Sequence, residues 1–599
     1  MIPYNAPLEE IRFVLNELSD IDRVNEIPDV AGFMEEGLRD AILAEAGHFA
    51  EDVLAPLNQL GDDQGVQWSV EGVKTPKEFG IAYRQFVDAE WNRLVLPTDI
   101  GGQGAPILLS AAVRETFVAA NKSFCMCSEL TTVGIEALLH AASDELKALY
   151  IPKMVSGEWS ATMNLTEPQA GSDVGALRAR AVPQADGTYR IFGQKIFISF
   201  GEHDLTENIV HLVLARTPNA PEGSRGVSLF LVPKFIPETN ERNDVVCSGI
   251  EHKLGNHGSP TCTLVYGDDG EGAVGWLIGQ ENKGLQHMFV MINGSRFNVG
   301  LEGVALSERA YQQALSYARE RIQGKAVDGG KESVAIIRHP DVRRMLMFMR
   351  SQTEAMRAVA FHLAAAQDLA TKHPDKALRQ ERQAFVDLMI PVFKGWTSET
   401  AVDVTRTSIL AHGGLGYITE SGASQPLRDV LVCSIYEGAT GIQAHDLVAR
   451  KIMPDGGQTL NAWLNEVQAT ASYILENADK LECRKIGNEL HKSVQHAEAA
   501  VAWVIENYSL HNADVLAVSV PLLKLLGIIA GGWQMAKAAV AADALLELGQ
   551  GNNSFYQSKL NSAYFYTQHI LSHSYTLSHT VLNGSSMVNS LNDDVFNQQ

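Results

Sequence analysis

Glu437 sits in the run Ile435-Tyr436-Glu437-Gly438-Ala439-Thr440-Gly441-Ile442-Gln443, where a carboxylate is followed by small residues and then by the start of a helical pattern. A carboxylate whose neighbours lack bulk can approach a flat ligand closely, and glycine lets backbone N–H groups do the same. That is a setting for a general base, and equally the wording of an ordinary helix boundary.

Other runs carry chemistry of their own. In Met163-Asn164-Leu165-Thr166-Glu167-Pro168-Gln169-Ala170-Gly171-Ser172-Asp173, backbone N–H groups and the Thr166 and Ser172 hydroxyls can hydrogen-bond a heteroaromatic ring or a phosphate; the plain alternative is a Pro/Gly hinge. In Gln194-Lys195-Ile196-Phe197-Ile198-Ser199, Phe197 and Ser199 share one face of a strand, able to flank a flat cofactor or simply to be half-buried. Arg296 and Arg321, near helix ends, are candidate phosphate clamps as against solvated charges. His412-Gly413-Gly414-Leu415-Gly416-Tyr417 is a glycine turn without the strand-turn-helix setting of a Rossmann fingerprint, which argues against a nicotinamide site.

Several elements must position these groups. Residues 1–35 read as an N-terminal arm with Leu8, Ile11, Leu15 and Leu18 at helical spacing. Residues 36–158 keep a period near 3.6, broken by Gly61–Gly65 and by Leu96–Gly104, and form an N-terminal helical domain. Between 159 and 282 the period changes: Tyr189–Ser199, Asn208–Ala215, Gly226–Val232 and Thr261–Tyr266 read as strands of a small central β domain. Helical spacing returns at Gly284 and runs on through Val342–Ala370, Arg379–Leu410 and Asp429–Ile452, so 283–453 reads as a helical bundle. Pro454-Asp455-Gly456-Gly457 is a linker, 458–599 an additional C-terminal helical domain, and the polar tail after Asn583 is expected to fray. The fold class expected is α+β, mainly α.

With 48 Lys plus Arg against 71 Asp plus Glu the net charge is −23, which argues against nucleic acid or an anionic membrane as the main partner. Cys125, Cys127, Cys247, Cys262, Cys433 and Cys483 lack a paired metal spacing and read as reduced core residues, so no metal is expected. The opening residues show no basic n-region and no apolar h-region, and Glu9, Glu10, Glu17 and Asp20 come early; a cytoplasmic location is expected. Val515–Trp533 approaches membrane length, but Pro521 and Lys524 interrupt it, and a buried helix rather than an integral membrane segment is expected.

Taken together, the order helices, strands, helices and the wording of these runs resemble the acyl-CoA dehydrogenases over about residues 36–452. The resemblance rests on Thr166-Glu167-Pro168…Ala170-Gly171-Ser172-Asp173, Gly193-Gln194-Lys195, Gly258-Ser259-Pro260-Thr261, Gly279…Glu281-Asn282-Lys283-Gly284, Gly413-Gly414…Gly416-Tyr417 and Tyr436-Glu437-Gly438. The opening Tyr4…Ala6-Pro7-Leu8…Ile11-Arg12-Phe13-Val14-Leu15 and the extra helical domain look like the long subgroup that includes 3-methylmercaptopropionyl-CoA dehydrogenases and long fatty acyl-CoA dehydrogenases.

The resemblance implies FAD as cofactor and an acyl-CoA substrate in fatty acid β-oxidation chemistry, with a carboxylate removing the α-proton as a hydride leaves the β-carbon. It puts the base at Glu437, since the position some relatives use instead is Ser295 here. It implies flavin contacts at Met163, Asn164, Leu165, Thr166, Ser172, Phe197 and Ser199, contacts from Arg321 and Gln323 to the pyrophosphate or adenine across a subunit boundary, and dinucleotide contacts at Gly413, Gly414 and Thr440. Ser172, Arg296 and Gly438 fall at substrate positions. Leu410, Pro340 and Gly441 each replace an expected glutamine, and Ala439 replaces a threonine. An electron-transfer flavoprotein as acceptor and a homodimer follow by the same analogy. A flavin oxidase using oxygen and a non-catalytic scaffold on the same fold are the competing readings.

Overall fold

A near-continuous apolar run in Asn208–Ala215, bounded by polar turns, makes a strand whose two faces are both buried, and the rest of a mixed sheet forms around it. The computed structural model describes residues 3–478, 480–549 and 551–597. Packing divides the chain into two compact units: Ala46–Ala105 with Ala120–Asn298, and Met1–Glu45 with Pro106–Ala119 and Val299–Gln599.

The first unit carries a short hairpin, β1 (Gln67–Ser69) and β2 (Gly72–Lys74), where a helical period was expected. Its main sheet has eight strands: β3 (Trp159–Asn164), β4 (Arg180–Pro183), β5 (Tyr189–Ser199), β6 (Asn208–Ala215), β7 (Ser228–Pro233), β8 (Val245–Ile250), β9 (Thr261–Tyr266) and β10 (Ala273–Ile278). The order is β3-β6-β7-β10-β5-β9-β8, with β4 on β5; β3 and β6 run parallel and the other pairs antiparallel. Val210, Leu212 and Leu214 of β6 join Leu229 and Leu231 against helix residues Val133, Leu138, Tyr150 and Met154. Val213 and Ala215 face the other way, into a core with Ile191, Phe230, Leu264 and Tyr266. The sheet is thus covered on both faces, and its strand ends are held by buried apolar contacts.

The second unit is helical, from the C-terminal part of the helix Gly284–Glu320 through Pro340–Lys372 and Lys376–His412 to Gln458–Asn477, Leu481–Tyr508, Ser519–Leu548 and Asn553–His569. A two-stranded edge, β11 (Ile322–Lys325) and β12 (Ser333–Ala335), interrupts it. Pro340 opens its helix at N1, where no N–H is needed. Ser519–Leu548 is long and apolar enough to cross a membrane by composition, and 83% of that apolar window is buried inside this fold. The arm forms a helix, Leu8–Leu18, with Phe13 edge-on to Phe555 at 5.6 Å between ring centroids and Glu10 bonded to Lys559.

Two further expectations are corrected. The stretch Asp429–Ile452 is not one helix: Gln425–Val430 tightens into a 3-10 turn over Leu431–Ser434, left-handed backbone at Glu437 and Gly438 follows, and a new helix starts only at Thr440. The tail after Asn583 forms helical turns at Ser585–Ser590 and Asp593–Asn597, the first held by an Asn589 to Asp514 hydrogen bond. All six cysteines are buried and none is in a disulfide.

Candidate active site

The proposed site residues fall into two sets, one on each unit. On the sheet unit, β3 ends at Asn164 and the chain turns through Leu165, Thr166 and Glu167. Lys195 of β5 donates to the Leu165 carbonyl at 2.9 Å and to Glu167 Oε1 at 2.8 Å, and the Ile196 N–H donates to the Thr166 carbonyl at 3.0 Å. Glu167 also accepts from the N–H groups of Arg178 at 2.6 Å and Ala179 at 3.0 Å. Burial alone would raise the Glu167 carboxyl, but Lys195 and these backbone donors outweigh it and hold it below the usual carboxylate range. Burial in turn draws Lys195 down to about 8 against the pull of Glu167. The turn and β5 are therefore one rigid piece.

Beyond Lys195 the β5–β9 register slips before Ile198, and Phe197 takes φ +59° at the bulge. The slip turns its ring outward, 59% exposed, while Lys195 and Ile198 stay buried. Thr166 and Ser199 are half-buried and Ser172 is exposed. Met163 and Asn164 are buried; Asn164 donates to Thr162 Oγ1 at 2.7 Å and accepts from the Tyr266 hydroxyl at 3.0 Å. Its side chain is thus committed to the sheet, and only its backbone is placed to meet a ligand. Thr162 bonds His211 and Ser160 bonds His203, completing a polar column in which burial pushes both imidazoles down to about 3, so both are neutral. Arg296 is 7% exposed, a buried guanidinium rather than a solvated charge.

On the helical unit, Lys376–His412 ends at Gly413, whose φ of +61° needs glycine. A Cβ at Gly413 or Gly414 would meet nothing within 4 Å, whereas one at Gly416 would lie 2.4 Å from the Ile409 carbonyl. Gly416 is thus required by packing and Gly413 by its backbone, while the space beside Gly413 and Gly414 is open. Arg321 and Gln323 are exposed on the β11 edge, with Arg321 Nη2 3.5 Å from Gln323 Oε1.

Glu437 has φ +53° and Gly438 φ +91°. Left-handed backbone costs a non-glycine residue about 1–2 kcal/mol, so the turn persists only because its surroundings over-determine it. Lys394 Nζ donates to the Gly438 carbonyl at 2.7 Å, and Gln443 Nε2 donates to the carbonyls of Glu437 at 3.1 Å and Gly438 at 3.0 Å. Both donors are fully buried. The Tyr436 hydroxyl donates to Glu302, which is buried on the helix Gly284–Glu320 and also accepts from Cys433 Sγ at 3.3 Å. Thr440 is buried too, its hydroxyl donating to Glu399 at 2.5 Å. These holders, Lys394, Gln443, Glu302 and Glu399, were missed in the sequence. The only available signal was a lysine inside the apolar run Ile390-Pro391-Val392-Phe393-Lys394.

The sheet unit thus offers a rigid loop beside an outward aromatic ring, and the helical unit a strained carboxylate turn. The chain belongs to the acyl-CoA dehydrogenase family. Its N-terminal, middle and C-terminal domain models match residues 38–158, 162–268 and 282–453, and a model described as acetyl-CoA dehydrogenase C-terminal like matches 463–592. The chain is 44% identical over 573 residues, 95% of it and 96% of the relative, to the 3-methylmercaptopropionyl-CoA dehydrogenase of Ruegeria pomeroyi. It is 33% identical over 592 residues, 95% of it and 96% of the relative, to the broad-specificity linear acyl-CoA dehydrogenase FadE5 of Mycobacterium tuberculosis. Among solved structures, Caenorhabditis elegans ACDH-11 in complex with C11-CoA shares the fold at TM-score 0.78 and 17% identity, covering 98% of this chain and 96% of that one. An acyl-CoA dehydrogenase complexed with FAD from Bacillus anthracis does so at TM-score 0.74 and 18% identity, covering 98% and 93%.

Proposed function

We propose that this chain desaturates an acyl-CoA thioester to the trans-2-enoyl-CoA with Glu437 as the base and FAD as the cofactor. The observation that carries the reading is the strained Glu437–Gly438 turn, held by buried donors on carbonyls that no helix satisfies. A thioester α-proton is very weakly acidic, so its removal needs a positioned carboxylate and donors for the enolate-like oxygen. Glu437 takes the α-proton, and its own N–H is the chain's candidate donor to the thioester oxygen. Bound FAD supplies the acceptor for the hydride that leaves the β-carbon as the double bond forms. The residues present on each unit are of the kind that cofactor needs: on the sheet unit the outward face of Phe197 gives a stacking surface and the Leu165–Thr166 backbone and the Ser199 hydroxyl give polar contacts, and on the helical unit the Gly413–Gly414 step leaves its backbone open. Arg321 and Gln323 supply polar groups for its pyrophosphate or adenine.

The substrate favoured is 3-methylthiopropionyl-CoA, on the strength of the relative that is 44% identical along nearly the whole chain. The acceptor is an electron-transfer flavoprotein, and the working form is a homodimer. Leu410, Leu415, Tyr417 and Ile418, between 46% and 88% exposed around the glycine turn, support a surface that a second copy covers. A panel of CoA thioesters mixed anaerobically with the purified protein tests the reading. Bleaching of flavin by 3-methylthiopropionyl-CoA with the highest kcat/KM supports it; a preference for medium or long fatty acyl-CoA overturns the substrate. Peroxide formation in air assigns an oxidase, and a protein that takes up no FAD overturns the whole reading.

A further inference from the structure

Lys394 stands where chain packing alone would place a leucine or methionine. Its neighbours Pro391, Val392, Phe393 and Trp396 are buried, it is itself 0% exposed, and a buried ammonium is costly unless it is tied to acceptors. One such acceptor is the carbonyl of Gly438, 2.7 Å away, on the residue that follows the base. Gln443, also 0% exposed, spans the carbonyls of Glu437 and Gly438 from the other side of the turn. We infer that Lys394, with Gln443 as its companion, is a positioning residue for the reaction: the two side chains lock the peptide planes on either side of Gly438, and so fix the direction of the Glu437 carboxylate and N–H together.

The Glu302 to Tyr436 bond anchors the turn's entry, while Lys394 and Gln443 act at its left-handed centre. With φ positive at two successive residues, the turn's alternative is a relaxed, right-handed backbone. That relaxation would swing the carboxylate away while leaving the rest of the fold in place. The consequence falls on proton abstraction rather than on substrate affinity.

This inference rests on Glu437 being the base, so Glu437→Gln is measured beside the test variants. Lys394→Met keeps the volume and removes the donor. Its anaerobic flavin bleaching is expected to slow by roughly 30–100-fold, the scale of an ångström misplacement. FAD content should stay at the parent's level, the KM for acyl-CoA should move by less than about 3-fold, and the isotope effect with α-deuterated substrate should rise. Gln443→Leu, which removes the second donor without touching a charge, is expected to slow bleaching by about 10-fold with the same isotope signature, and carries the test if Lys394→Met fails to fold. Bleaching at the parent's rate in both variants, or a loss matched by lost FAD, overturns the positioning role. Bleaching at the parent's rate in Glu437→Gln overturns the base itself, whatever Lys394 does.

Discussion

Lys195 Nζ and Glu167 Oε1 lie 2.8 Å apart with side chains 0% and 3% exposed, joining β5 to the turn that follows β3. Removing one partner of such a pair strands the other charge in the interior, which costs about 3–5 kcal/mol. Lys195→Met is therefore expected to lower stability by that amount and to loosen the Leu165–Thr166 turn. Thermal unfolding and the FAD-to-protein ratio after gel filtration check it: the variant should melt earlier and retain less flavin. The double variant Lys195→Met, Glu167→Leu should recover part of the lost stability, because no unpaired charge remains.

Glu437→Gln keeps the size and polarity of the side chain but cannot accept a proton. General-base contributions of 10²–10⁴ set the expected loss in turnover at about that range, with flavin content unchanged. Anaerobic rapid mixing with substrate measures the bleaching rate directly, and a rate within about 3-fold of the parent would remove Glu437 from the role.

Much of this arrangement was legible because it is local. Asn208–Ala215, Thr261–Tyr266 and Tyr189–Ser199 announce themselves as short runs rich in β-branched and aromatic residues between turns, and each forms over the bounds read from the sequence. The start of the long helix at Gly284 was equally plain. By contrast β3, β4, β8 and β10 are short and carry polar or small residues, Ser160 and Thr162 among them, whose partners lie far along the chain. Phe197 read as one position in a regular alternation, because a bulge depends on the facing strand β9. The proposed base, Glu437, came from its wording. The means of holding it did not, since Lys394 meets Gly438 and Glu302 meets Tyr436 only after the bundle closes.

The arm is tied down by the same kind of chemistry. Lys559 is 1% exposed and lies 2.6 Å from Glu10 and 3.0 Å from Glu354. Burial raises the Glu10 carboxyl even with Lys559 beside it. Lys559→Met leaves two buried carboxylates without this shared cation, and a loss of about 3–5 kcal/mol is expected. The loss should be smaller at pH 5 than at pH 8, because protonation of Glu10 relieves it. Limited proteolysis should cut the arm around Leu8–Leu18 in the variant before it cuts the parent.

Glu136 gives the fold a pH dependence with a definite sign. It is half-buried, its Oε2 lies 3.7 Å from where a Cβ on Gly294 would sit, and partial burial pushes its carboxyl from 4.5 up to about 7. Below about pH 4.5 it is protonated in both folded and unfolded chains and costs nothing. As pH rises from there to about 7 the unfolded chain releases the proton and the folded one does not, so stability falls, by up to about 3 kcal/mol at pH 8. Glu136→Gln cannot ionise and removes that slope. Relative to the parent, its melting temperature is expected to be higher at pH 8 and the difference to shrink steadily towards pH 5. A parent and variant whose difference stays constant across that range would show that Glu136 is ionised in the folded protein throughout.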